Sequence, residues 1–282
     1  MTPLTSAGRA PARLLRDAIE PLAAQGFGSA RQSLKALGLR FIEGYVWGRA
    51  AALGEPSPSV VVAAFGVFEP GLVATAYESG RATASRADVL AARAAGATDA
   101  LQEILGDDPA IGRLADRLLS AIDGLAGTGR PLFSGLRELP LPATPHGRLW
   151  RAADLIREHR GDGHLAAGIA AGLEPIEMNV LTELWVGYPL GEYSSTRGYG
   201  PDPLATAVSR LRTREWLKGD QLSTVGTSVR SAIESATDAS QSELVTALGD
   251  ALEWTVTTAA ALSAQVVAAG AFTGDERKRA AG

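Results

Sequence analysis

Apolar residues recur at helical spacing along almost the whole chain. Leu14, Leu15, Ala18, Ile19 and Leu22 fall on one face of a helix over residues 10–24. Further helices are predicted over 30–38 and 41–53, separated at Gly38-Leu39. Another is predicted over 59–79, where Pro70 removes an N–H and forces a break or kink. Residues 85–105 and 109–127 continue the pattern. A segment containing Pro131, Pro140, Pro142 and Pro145 then interrupts it and reads as a linker over 128–146. Beyond it, helices are expected at 147–160, 163–172, 175–186, 202–215 and 225–238, with a long one at 241–269. Trp216–Ser223 departs from helical spacing: two brief arms about Gly219-Asp220 read as a β-hairpin.

The same phrases occur twice in the same order. Arg13-Leu14-Leu15-Arg16 is answered by Arg148-Leu149-Trp150-Arg151, Ile42-Glu43 by Ile176-Glu177, and Ala97-Thr98-Asp99-Ala100 by Ala236-Thr237-Asp238-Ala239. A repeat this long exceeds solenoid periods of roughly 20–50 residues and points to a duplicated domain. The units are read as 1–127 and 147–282. Helix, helix, turn, helix and hairpin is the order of a winged helix-turn-helix; Ala166, Ala167 and Ala170 suit a close helix crossing, and Gly172 suits the turn. The expected fold is therefore mainly α: a tandem duplication of a winged helix-turn-helix-like unit, with small β-hairpin wings and long terminal helices forming a pseudo-two-fold dimer. Two fused copies meet as the subunits of a symmetric dimer would, so a monomer or weak homo-oligomer is expected.

A winged helix followed by a long terminal helix is similar to MarR-type regulators, whose terminal helices build the dimer. The phrases LWRAADLIREHRGDGHLAAGIAAGL (149–173) and LKALGLRFIEGYVWGRAAALG (34–54) resemble an actinobacterial winged-helix family labelled SalK-like, after a member from a polyketide gene cluster. The resemblance covers most of the chain, and REHRGDGH is its most specific part. It implies the fold and a setting in secondary metabolism. Members of that family often carry a His before Pro in an aromatic-rich stretch; in Phe65-Gly66-Val67-Phe68-Glu69-Pro70 this chain has Glu69 there.

Charge and composition narrow the function classes. With 27 Lys and Arg against 31 Asp and Glu, the net charge is −4, whereas dedicated nucleic-acid binders carry a basic surplus to meet phosphates. The absence of cysteine excludes disulfides, thiolate ligands and thiol nucleophiles from this chain. The opening residues lack the apolar core of a secretion signal, and no apolar run reaches the roughly 18 residues of a membrane span. A cytoplasmic protein with no membrane partner is expected. The basic tail, Glu276-Arg277-Lys278-Arg279, reads as solvated.

Candidate chemistry concentrates in one stretch. All three histidines, His146, His159 and His164, lie within nineteen residues, two of them in Arg157-Glu158-His159-Arg160-Gly161-Asp162-Gly163-His164. The matching place in the first unit, Pro21–Ser29, carries no such set. One reading is helix-end grammar: Arg157, His159 and Arg160 close a helix, Gly161 follows as its C′ residue, and Asp162 caps the next helix. It leaves Glu158 and His164 unexplained. The other reading is catalytic. His159 or His164 acts as acid or base, oriented by Glu158 or Asp162, while Arg157 or Arg160 holds an anionic substrate. A metal site is not expected, because His159 and His164 lie five apart and miss the i, i+4 face of two-His motifs. No cofactor motif is present.

Aromatic residues form the second group. Phe41, Tyr45 and Trp47 lie on the third helix of the first unit, with Trp185 and Tyr188 at that of the second. These helices, read as the DNA-contacting elements, are largely apolar and carry Glu43, Glu177 and Glu183, a poor match to phosphates and base edges. Such aromatics build either core or a cavity between the halves. Tyr45, Trp47, Phe65, Phe68, Trp150 and Arg197 complete the expected substrate-binding set. The resulting expectation is a protein for a small organic metabolite, either a binder or a cofactor-independent acid–base cyclase or isomerase, with DNA binding lost. The alternative is a MarR-like, ligand-responsive regulator using Arg210, Arg212, Arg214 and Lys218 beside the second wing.

Overall fold

A computed structural model of the chain describes residues 9–275 and 277. Of the basic tail, all but Arg277 lies outside the described residues. The first half comprises α1 (Pro11–Ala23), α2 (Arg31–Ala36), α3 (Phe41–Ala50), α4 (Pro58–Phe65), α5 (Pro70–Thr83), α6 (Arg86–Leu105) and α7 (Pro109–Asp123). After α8 (Pro131–Arg137) come α9 (Pro145–Ala170), α10 (Pro175–Trp185), α11 (Glu192–Ser195) and α12 (Pro201–Thr213). The hairpin β1 (Leu217–Lys218) and β2 (Gln221–Leu222) precedes α13 (Thr224–Ala239), α14 (Ser242–Leu248) and α15 (Leu252–Ala268). Proline stands first in eight of these helices. Its fixed φ suits the opening turn, and the N–H it lacks would have had no helical partner there.

The expected break at Pro70 is present, with Glu69 as N-cap: its carboxylate accepts from the N–H groups of Gly71 and Leu72 at 2.9 and 2.5 Å. Three other expectations need correction. The long terminal helix is interrupted at Gly249, whose φ of 48° favours glycine, so α14 and α15 are separate. The first half has no wing: α5 ends at Thr83 and α6 begins at Arg86, and the hairpin is the one sheet among the described residues. Finally, Gly161 does not end a helix. α9 runs unbroken for 26 residues through Gly161 and Gly163, so Asp162 caps nothing on its own helix. The proline-rich stretch also contains a packed helix, with Leu132, Phe133 and Leu136 of α8 buried.

Three apolar cores build the molecule. The largest joins α1, α7, α9 and α15 with the C-terminal half of α6. A second gathers α3, α4 and α5 with the start of α6 around Trp47, Phe65 and Tyr77. The third packs α10 against α12, the hairpin and α13. Their junction is not filled. A cavity lies there, walled by Leu15 and Ile156 from the first core, Phe65 and Phe68 from the second, and Val67 and Leu165 against the third. The centres of water-sized molecules can range over about 130 Å³ in it, against the roughly 10–15 Å³ that suffices for one water. No helix among the described residues is long and apolar enough to cross a membrane.

Candidate functional site

Helix α9 carries one wall of the cavity. Thr144 caps it, its hydroxyl accepting the Gly147 N–H at 3.1 Å. Arg157, Arg160, Gly161, His164 and Leu165 recur at spacings of three and four, so the continuous helix brings them to one face. The two glycines serve different purposes. A Cβ on Gly163 would collide with Ser240 Oγ and stand 3.0 Å from the Arg130 guanidinium, so that glycine permits the close packing of α9 on its neighbours. A Cβ on Gly161 would meet nothing nearer than Glu158 Oε2 at 3.9 Å, because it would project toward the cavity.

Seven arginines line this space against three carboxylates, Glu20, Asp162 and Glu234. At one end Arg49 grips Glu158 through two bonds of 2.7 Å, and Arg157 bridges Glu20 at 3.1 Å and Glu158 at 3.3 Å. Burial pushes the Glu158 carboxyl up, but Arg49 and then Arg157 outweigh it and hold its pKa at about 2. At the other end Arg13, Arg160 and Arg230 all converge on Glu234. Burial again opposes ionisation and loses to the arginines, leaving Glu234 at about 2. Arg197 differs from both groups. It is stacked between the Tyr193 ring at 4.3 Å and the Phe68 ring at 5.0 Å, donates to the Tyr193 hydroxyl at 2.6 Å, and has no carboxylate partner among the described residues.

Two titratable groups on the wall are not locked in this way. Asp162 is 3% exposed. Its Oδ2 accepts the Phe133 N–H of α8 at 3.1 Å, while Oδ1 is buried without a hydrogen-bond partner. Burial raises its pKa to about 7, against the pull of that N–H. His164 meets Thr237 Oγ1 through Nδ1 at 3.0 Å. The Thr237 hydroxyl already donates to the Ile233 carbonyl at 2.7 Å, so only its lone pairs remain for the imidazole. Nδ1 therefore carries the proton, and Nε2 keeps a lone pair. Burial, and then the nearby Arg230, lower the His164 pKa to about 3, so the ring is neutral at pH 7.

The residues singled out in the sequence scatter more widely than expected. Arg157, Arg160, Asp162, His164, Tyr45, Phe65, Phe68 and Arg197 line the cavity; Glu158 and His159 do not. Glu158 is the buried partner of Arg49. His159 faces away, with Nδ1 donating to Gln241 Oε1 at 2.9 Å and its ring edge-on to Phe133 at 4.8 Å. His146 meets the Gly106 carbonyl at 2.9 Å. Trp150 is core beneath the guanidinium groups of Arg93 and Arg151. The α3 aromatics diverge: Tyr45 lines the cavity, Trp47 is core with Nε1 donating to the Ala84 carbonyl at 2.9 Å, and Phe41 is exposed beneath Arg31.

Reading the sequence missed the α1 and α13 side of the site, Arg13, Arg16, Glu20, Arg230 and Glu234, together with Arg49. A signal was available: Arg13 and Arg16 stand in the repeated phrase and, spaced i, i+3, fall on one face of α1. Arg230 and Glu234 likewise form an i, i+4 pair in α13.

The expected DNA-contacting helices are also reassigned. Nine consecutive residues of α10, Ile176–Leu184, are buried, which leaves it no face for a groove. Glu43 and Glu177 are buried N3 residues whose carboxylates accept the N–H of Arg40 at 2.8 Å and of Glu174 at 2.9 Å. The helix immediately before the hairpin is α12, and it exposes Thr206, Ser209, Arg212 and Thr213. No curated protein and no solved structure matches the chain. Residues 12–273 match a helix-turn-helix family, in keeping with the helix pair ahead of a hairpin seen here, and the chain belongs to that family.

Proposed function

We propose that the chain binds a small organic anion in the central cavity and acts on it by cofactor-independent acid–base chemistry, as a cyclase or isomerase of a biosynthetic intermediate would. In this reading the fold is a winged-helix pseudo-dimer that has given up DNA binding. The observation that carries it is the arginine-rich cavity at the junction of three cores. Buried cations attract anions strongly in a low-dielectric site, and the apolar walls accept an organic body.

Packing supports the pseudo-dimer. Helix α7 of the first half packs along α9 of the second, and α15 of the second packs along α1 of the first. Each terminal helix thus pairs with the opening helix of the other half, as in an intertwined symmetric dimer. Loss of DNA binding is supported by the fate of the three wing-side arginines, although Lys218 is exposed. Arg210 is held by Glu174 at 2.5 Å and Glu177 at 2.9 Å, Arg212 by Asp220 at 2.8 Å, and Arg214 donates to the carbonyls of Ala171 and Gly172. Such cations release few counterions on meeting phosphate.

The second reading is a ligand-responsive regulator of MarR type. It is favoured by membership of a helix-turn-helix family and by the exposed polar face of α12 beside the hairpin. Gel shift with the DNA upstream of the chain's own gene, at salt from 50 to 200 mM, separates the two. The first reading expects no retained band even at the lowest salt. A band whose affinity falls steeply with salt favours the regulator.

A further inference from the structure

We propose that the bare helix surface at Gly161 is the working floor of the cavity, flanked by Asp162 as acid and His164 as base, and that its substrate is an anionic, β,γ-unsaturated carbonyl compound whose double bond is moved into conjugation. This rests on the reading that the cavity binds a small organic anion.

At about 100° per residue, Asp162 projects to one side of Gly161 and His164 to the other, roughly 60° away and one turn further along. Both line the cavity, and no hydrogen bond joins them. Acid and base therefore meet a ligand at two different atoms, and a ligand touching both lies across Gly161. Any side chain at 161 would stand in that path. A glycine within a helix weakens it relative to alanine, and nothing crowds the position from the protein side.

The two groups present complementary chemistry. Thr237 orients His164 so that Nε2 offers a lone pair. Asp162 keeps an unpartnered buried Oδ1, and a carboxyl that retains its proton near neutrality can donate it. His164 Nε2 removes a proton from the carbon next to the carbonyl, and that C–H electron pair becomes a carbon–carbon double bond. The carbonyl oxygen takes the Asp162 proton, giving a dienol. The imidazolium then returns its proton to the γ carbon while Asp162 recovers the hydroxyl proton. One isomer has become another, both side chains are restored, and no electrons leave the system. Arg197, a cation with aromatic faces on both sides and no carboxylate of its own among the described residues, is the anchor for the substrate's anionic group.

Levulinate, a small ketone bearing a carboxylate, tests the proton transfer. Exchange of the protons flanking its ketone is followed by NMR in D2O, and binding by thermal shift. The full-length chain is expected to show a positive shift and at least tenfold faster exchange than buffer, with neither effect on butan-2-one. His164→Gln and Asp162→Asn should keep the thermal shift and return exchange to the buffer rate. Gly161→Leu should lose both without a lower melting temperature in the absence of levulinate. A thermal shift with exchange at the buffer rate overturns the proton transfer and leaves the binding reading standing. Neither shift nor exchange overturns both. Full binding and exchange in Gly161→Leu overturns the floor.

Discussion

Glu158 and Asp162 stand one helical turn apart on α9, both carboxylic acids and both buried, yet the structure drives them in opposite directions. Glu158 is gripped by two guanidinium groups and held at about 2. Asp162 receives one backbone N–H and no direct cation, and burial lifts it to about 7. Burial alone therefore does not decide ionisation. What decides it is whether enough opposite charge and hydrogen bonding accompany the group inside. The first carboxylate contributes to the architecture. The second is left with a proton that can be exchanged in the range where proteins work.

The largest effect is expected from removing the grip. Arg49→Met leaves Glu158 buried with Arg157 as its remaining cation and should cost about 3 kcal/mol, read by urea unfolding at pH 7. A loss below ~1 kcal/mol would mean that Arg157 suffices and that the contrast between the two acids is overstated.

Asp162→Asn should act with the opposite sign and depend on pH. The folded-state pKa lies above the unfolded value, so the folded chain binds the extra proton between about pH 4 and 7. The stability that Asp162 contributes is complete below pH 4, falls as pH rises through about 7, and is flat above. The neutral amide still accepts the Phe133 N–H and escapes this loss. The variant should match the natural chain at pH 4 and exceed it by about 2 kcal/mol at pH 8. A constant difference across that range would refute the assignment.

His164 has the reverse linkage. Its folded pKa of about 3 lies below the unfolded value near 6.5, so its contribution is complete above pH 6.5 and lost as pH falls toward 3. Between pH 4 and 6.5 the two groups partly cancel. His164→Gln should therefore lose about 1–2 kcal/mol less than the natural chain on acidification from pH 7 to 4, measured by denaturant unfolding at each pH.

The smallest effect sharpens the comparison most. Gly161→Ala should stabilise α9 by about 0.5–1 kcal/mol, whereas Gly163→Ala should destabilise, since its Cβ would meet Ser240 Oγ. Differential scanning calorimetry of the pair checks the signs. If both destabilise, the space beside Gly161 is not open.

Much of the helical framework was legible because prolines mark helix starts and apolar spacing marks their faces, as at Pro70 and over 10–24. The hairpin was legible from Gly219-Asp220. The continuity of α9 was not. Arg-Gly-Asp-Gly-His reads as a helix end by local rules, and only tertiary partners overrule them: Arg130 takes the His159 carbonyl and Ser240 presses on Gly163. Half of the site was visible for a related reason. The polar cluster of α9 is dense in sequence, while Arg13, Arg49 and Arg230 come from three distant segments and look like ordinary surface cations until the chain folds around Glu158 and Glu234.

The unbroken α9 also makes the chain a lever. The ten residues from Gly161 to Ala170 are nine helical steps and span about 13 Å. Just past them, Arg214 holds the carbonyls of Ala171 and Gly172 while stacking 3.6 Å from the centre of the Trp216 ring, beside the hairpin. A rigid rod tilted by about 5° at Gly161 moves its far end by about 1 Å over that length. A single helix and the turn after it thus connect the cavity wall to Arg214, which stacks on Trp216 beside the hairpin.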